Sequence, residues 1–193
     1  MKAQLVIGLS AALALAACNN KSNDQDDHTL AAAQSPSPPI NPTPSASPTT
    51  TAAPTTPQGF VDTAASSDMY EIAAAKLAQQ QGSTQNVKAF ASMMVKDHGK
   101  SSADLKAAVA KAGNGLMVPT EMQDAHKQQL DELKKAGANF DLVYAMQQVA
   151  AHQAAITLLH DQATSGTVPA LKDFAAQTAP VVQHHLDEAM KLP

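Results

Sequence analysis

The sequence predicts an all-α fold, a four-helix bundle with a short extra helix in the crossover between the second and third long helices. Three observations predict it. Between residues 59 and 193 alanine is abundant, tryptophan is absent and β-branched runs are few, which favours helix. Glycine, asparagine and proline fall at intervals that leave four segments of full helical length and one shorter one. Within each long segment apolar residues recur every three or four positions, the period of a helix that buries one face.

The first helix is predicted from about Phe60 to Gln81, where Gly82-Ser83 stops it. The second is predicted from about Thr84 to Ala112, ending at Gly113-Asn114-Gly115. Pro119-Thr120-Glu121 reads as the start of a short helix through Lys135, interrupted at Gly137. A third long helix follows from about Asn139 to Thr164. Ser165-Gly166-Thr167 is the next turn, with Thr167 as the expected cap and Pro169 in the first turn of a last helix reaching Met190. Short turns make each outer pair an antiparallel hairpin, and the middle connection is long enough to cross the bundle, the ferritin-like arrangement. An up-and-down bundle with a bulky loop is the alternative, and Pro180 is expected to kink the last helix.

Ahead of this domain lie two segments of different composition. Residues 1–17 read as a lipoprotein signal peptide, with Lys2 supplying the charge and Ala3 to Ala17 an apolar core that is short for a membrane span. Leu15-Ala16-Ala17-Cys18 looks like a lipobox, which makes Cys18 the expected lipidation site and the membrane the expected partner through its acyl chains. Cys18 is the only cysteine, so an intrachain disulfide and a Cys-based zinc site are excluded. Asn19, rather than Asp, follows it and resembles outer-membrane sorting, so the expected location is the cell envelope, facing the periplasm if the cell is Gram-negative. Residues 18–58 hold eight of the twelve prolines among Ser, Thr and Ala and cannot build a core. They read as a tether that would span roughly 120 Å if fully polyproline-like.

The helical domain carries 11 Lys, no Arg and 14 Asp or Glu. With no concentrated basic face, nucleic-acid binding is not expected. Each inward stripe is broken once by a group able to bind a metal. Glu71 interrupts Phe60, Ala64, Ala75 and Ala78, and His98 interrupts Val87, Ala91, Met94, Leu105 and Ala108. His152 falls among Ala145, Ile156 and Leu159, and His185 among Leu171, Thr178, Val182 and Ala189. Counting from Gly82-Ser83 sets Glu71 and His98 opposite each other, whereas His152 and His185 count to an offset of roughly 9 Å.

Phe60-Val61, Ala64-Ala65, the Glu71 surroundings, the run from Val87 to Asp97-His98, Phe140-Asp141 with Tyr144, His152-Gln153 and Pro180 with His184-His185-Leu186 together resemble the bacterial domain of unknown function 4142 family. The resemblance covers nearly all of Phe60 to Leu192. It implies a ferritin-like, exported helical domain and no established reaction. It also puts Glu71, His98, His152 and His185 at the family's recurring polar positions.

A carboxylate and three imidazoles suit zinc, iron, copper or manganese. The di-iron pattern is not followed, because Val95 and Val149 stand where a Glu would precede His98 and His152, so oxygen activation and iron storage are not supported. A polar packing network, with Glu71 paired to His98, explains the same four positions. Asp97, Asp141 and Tyr144 are expected as supporting or capping groups, with Asp141 at a helix start. His126, His160 and His184 read as exposed, and Met93-Met94 as core packing. Two functions follow: a metal-binding envelope lipoprotein, or a structural lipoprotein that presents its outer face to another envelope protein. An enzyme has no support in any nucleophile or His-Glu-x-x-His motif.

Overall fold

In the computed structural model, residues 56–113 and 115–193 are described. The segment read as a signal peptide, Cys18 and most of the segment read as a tether lie outside the described residues. Among the described residues five α-helices form, with a 3-10 turn at Gly137–Asn139 before the fourth: α1 (Pro57–Gln81), α2 (Gln85–Ala112), α3 (Asp124–Lys134), α4 (Phe140–Ser165) and α5 (Pro169–Ala189). Thr56 caps α1, its hydroxyl accepting from the Gly59 amide at 3.1 Å, and Pro57 occupies the first turn, where no amide is needed. Helix α1 therefore starts three residues earlier than its apolar pattern does.

The α1–α2 turn is short because Gly82 can come close to its neighbours. A Cβ there would sit 2.6 Å from the Ala78 carbonyl oxygen and 2.7 Å from Val87 Cγ1. Thr84 then caps α2 by accepting from the Val87 amide. Gly113 ends α2 with φ 65, a left-handed conformation that carries little strain only without a side chain.

Two predicted boundaries are corrected. Helix α3 starts at Asp124 rather than near Thr120, because the preceding chain is held in another conformation: Gln58 bonds both the amide and the carbonyl of Met117, and the Gln123 amide donates to Ser66 Oγ at 2.8 Å. The second bond takes an amide that an earlier-starting helix would use, and the first holds the chain ahead of it. The cap of α5 is Val168, with no side-chain bond, rather than Thr167. Pro180 lies on the exposed side, and α5 runs through it unbroken.

Helix α1 packs on α2 and α4, and α5 packs on α2 and α4. Asp141, at the start of α4, accepts from the Ser83 amide and hydroxyl, so α4 begins at the end of the bundle where α2 begins. The two helices run parallel across the diagonal, and the crossover carrying α3 returns along the bundle. This is the ferritin-like connectivity. Among the described residues no strand forms, and no helix is long and apolar enough to cross a membrane.

The interior divides into two apolar cores. One surrounds Tyr70, Ala74, Ala78, Phe90, Met94, Phe140 and Tyr144, near the α1–α2 turn. The other gathers Phe60, Val61, Leu105, Leu159, Leu171, Phe174 and Val182 near the α4–α5 turn, with the Phe60 and Phe174 rings edge to face at 6.2 Å. On every long helix buried polar residues fall between these cores, while Gln162 of α4 lies beyond Leu159, by the α4–α5 turn.

Candidate metal centre

The layer between the cores holds His98 from α2, His152 from α4 and His185 from α5, at 6%, 1% and 1% exposure. Their ring centroids form a triangle of 5.3, 5.5 and 5.8 Å, and one nitrogen from each ring lies within 4.8 Å of the other two. An ion at the centre of such a triangle would sit at most roughly 2.8 Å from each nitrogen. Inward shifts under about 1 Å would reach zinc–nitrogen distances of about 2.0–2.1 Å.

Every ring is held by one nitrogen. His98 Nδ1 bonds Asp68 Oδ1 at 2.8 Å, and Ser102 Oγ donates to the other Asp68 oxygen at 3.2 Å. His152 Nδ1 donates to the Gln148 carbonyl one turn earlier at 2.7 Å, and His185 Nε2 bonds Asp97 Oδ2 at 3.1 Å. Nitrogens that face these oxygen acceptors carry the proton, so the opposite nitrogen of each neutral ring is a bare lone pair. Those opposite atoms, His98 Nε2, His152 Nε2 and His185 Nδ1, are buried and have no partner. Gln129 Oε1, Tyr144 Oη, Gln148 Oε1 and Gln162 Nε2 are also buried without partners. The histidine atoms differ in belonging to rings that meet at one place.

Burial, then the nearby His98 charge, pushes His152 down to about 3, against the Gln148 carbonyl bond that favours its charged form. Burial also lowers His185, against the Asp97 bond. For His98 burial acts downward as well, but the Asp68 bond and the charges of Glu71, Asp68 and Asp97 outweigh it and raise the value. Burial pushes Glu71 up to about 7, opposed by His98 and the Gln148 bond. The Tyr144 hydroxyl is raised by burial and by Glu71. Three imidazoles of which two stay neutral are a donor set suited to a divalent transition ion.

Of the four expected ligands the structure brings three together. Glu71 is buried but lies outside that group and accepts from Gln148 Nε2 at 2.7 Å. Counted from the helix ends Gln81 and Gln85, Asp68 is level with His98 and Glu71 is one turn nearer the hairpin. The expected Glu71–His98 pairing is therefore replaced by Asp68–His98. His152 and His185 meet despite the expected offset, because only residues from Pro169 onward rise as helix. Measured between Ser165 and Pro169 the mismatch is about three residues, roughly 4.5 Å, which the side chains span.

Asp97 contacts His185, as a supporting residue would. Asp141 sits at the helix junction with Ser83, away from the histidines, and Tyr144 packs between Phe90 and Phe140 in the neighbouring core. His126 is half-buried rather than exposed, with Nδ1 2.6 Å from Ser66 Oγ and its ring stacked on Tyr70. His160 and His184 are exposed. Met94 is buried, and Met93 is half-buried at a surface groove.

Sequence reasoning passed over Asp68, Gln148 and Ser102. A signal for two of them existed: Asp68 falls between Ala64 and Glu71, and Gln148 between Ala145 and His152, at the same three- and four-residue spacing. The sequence matches the family described as Domain of unknown function (DUF4142) over residues 41–192, and the chain belongs to that family. The match begins within the segment read as a tether. No curated protein and no solved structure matches the chain.

Proposed function

We propose that this protein is a lipid-anchored lipoprotein of the cell envelope whose bundle binds one divalent transition metal ion through His98, His152 and His185. The observation that carries the metal reading is the set of three buried ring nitrogens left without partners, on rings whose other nitrogens are committed to Asp68, Asp97 and the Gln148 carbonyl. An acceptor behind a metal-binding imidazole fixes its tautomer and strengthens its donor nitrogen. Three imidazoles favour zinc or copper over manganese and leave a further coordination position open. The lipid anchor is supported by the Leu15-Ala16-Ala17-Cys18 motif at the end of an apolar segment.

A packing network is the competing reading, favoured by the Asp68–His98 and Asp97–His185 bonds. It gives no role to the three remaining nitrogens, each of which costs about 1–3 kcal/mol when buried without a partner. Metal analysis after equilibration with zinc or copper separates the two. The metal reading expects about one ion per chain and retention through gel filtration, with His152→Ala lowering retention at least tenfold. A wild-type chain that retains no zinc or copper leaves the packing network.

A further inference from the structure

The three rings are nearly sealed, so an ion must reach them between two helices. Of the residues that bond the rings, Asp68 is 4% and Gln148 0% exposed, while the Asp97 side chain is 25% exposed. Asp97 faces the α2–α5 seam, bonded to His185 across it. Along the same seam runs a surface groove of about 530 Å³, lined by Asn86, Phe90 and Met93 from α2, by His184 and Glu188 from α5, and by Lys191 just past its end. Met93 is one helical turn from Asp97, and the His184 ring is 6.4 Å from that of His185. The groove therefore ends, at Met93 and His184, about one helical turn from Asp97 and its bond to His185 Nε2, the ring contact that opens to solvent. The other nitrogen of that ring, Nδ1, is buried and unpartnered.

Resting on the metal reading above, we infer that this seam is the loading port for the divalent cation, with Glu188 and His184 as capture groups and Asp97 as the gate. Glu188 and Asp97 attract a hydrated cation, and the His184 imidazole exchanges for one of its waters. Two lysines oppose them: Lys191 pairs with Glu188 at 2.6 Å and Lys96 lies 3.9 Å from Asp97. Both are exposed, at 66% and 86% of the side chain, and can swing away to release the carboxylates to an arriving ion. The capture groups lie outside the histidine cluster, so they set how fast the site fills and empties rather than how tightly it holds.

Stopped-flow absorption of cobalt(II) loading into the metal-free full chain at low ionic strength tests this. Glu188→Gln should slow loading about threefold or more and Lys191→Met should speed it by a similar factor, with equilibrium affinity moved less than about twofold in each. Both differences should collapse in molar salt. Opposite signs from two exposed partners of one ion pair are not a result that altered packing produces. Wild-type rates in both variants would overturn the port. So would a rate change confined to Ser102→Ala, on the far side of Asp68. A wild-type chain that takes up neither cobalt nor zinc removes the metal reading and the port together, whereas binding at rates insensitive to these variants removes the port alone.

Discussion

At the scale of single residues, the layer between the cores is held by pairs in which each member constrains the other. Glu71 is the exception, a fully buried carboxyl whose one hydrogen-bond partner is a neutral amide. Its folded value, about 7 against an ordinary 4.5, is set first by burial. A carboxyl raised in this way binds its proton more tightly in the folded chain. Its stabilising effect is complete below about pH 4.5 and is lost as pH rises through about 7. Glu71→Gln keeps the shape and removes the ionisation. The metal-free variant should be more stable than wild type at pH 8, by at most about 3 kcal/mol, with the gap closing toward pH 4.5. Urea denaturation across that range measures it, and a gap independent of pH would show that ionisation is not the cause. Asp68 and Gln148, though on the right stripes, carry no sequence mark separating them from a solvent-facing Asp or Gln, because their roles depend on which helix lies opposite.

At the scale of elements, the two hairpins are joined by few directed contacts, and the Asp141–Ser83 junction is the most specific. Three hydrogen bonds to one half-exposed carboxylate hold the start of α4 against the α1–α2 turn. Asp141→Ala should cost about 1 kcal/mol, since exposure screens part of the interaction, and should speed hydrogen exchange at the Ser83 amide. Metal affinity should be unchanged, because the histidines are well down the bundle. Unchanged exchange at Ser83 would show that the turn holds itself. The long helices were legible because their signals are local: a capping threonine, a stopping glycine and a repeat near 3.6 residues. The start of α3 was not, since Gln58 and Ser66, distant in sequence, hold the chain before it.

At the scale of the whole molecule, a polar layer enclosed above and below by apolar cores would keep the proposed ion out of bulk water. The proposed anchor predicts that the mature chain partitions with membranes through its acyl chains alone, since no described helix can span a bilayer. Cys18→Ser should release the protein into the soluble fraction with its helical content and melting temperature unchanged. Continued membrane association of that variant would point to another mode of attachment. Fractionation with circular dichroism on the released protein checks both halves.

The sequence by itself determined the helices, their pairing into two hairpins across a long connection, and that polar groups break each apolar stripe. All of these follow from residue spacing and turn chemistry within a few turns of chain. Only the tertiary structure decided that three of the four breaks meet, that Asp68 rather than Glu71 stands opposite His98, and which nitrogen of each ring is left free. Those outcomes depend on depth along the bundle, which shifts by 1.5 Å for each residue by which a helix end is misplaced. They depend as well on hydrogen bonds between side chains that no period along the chain connects.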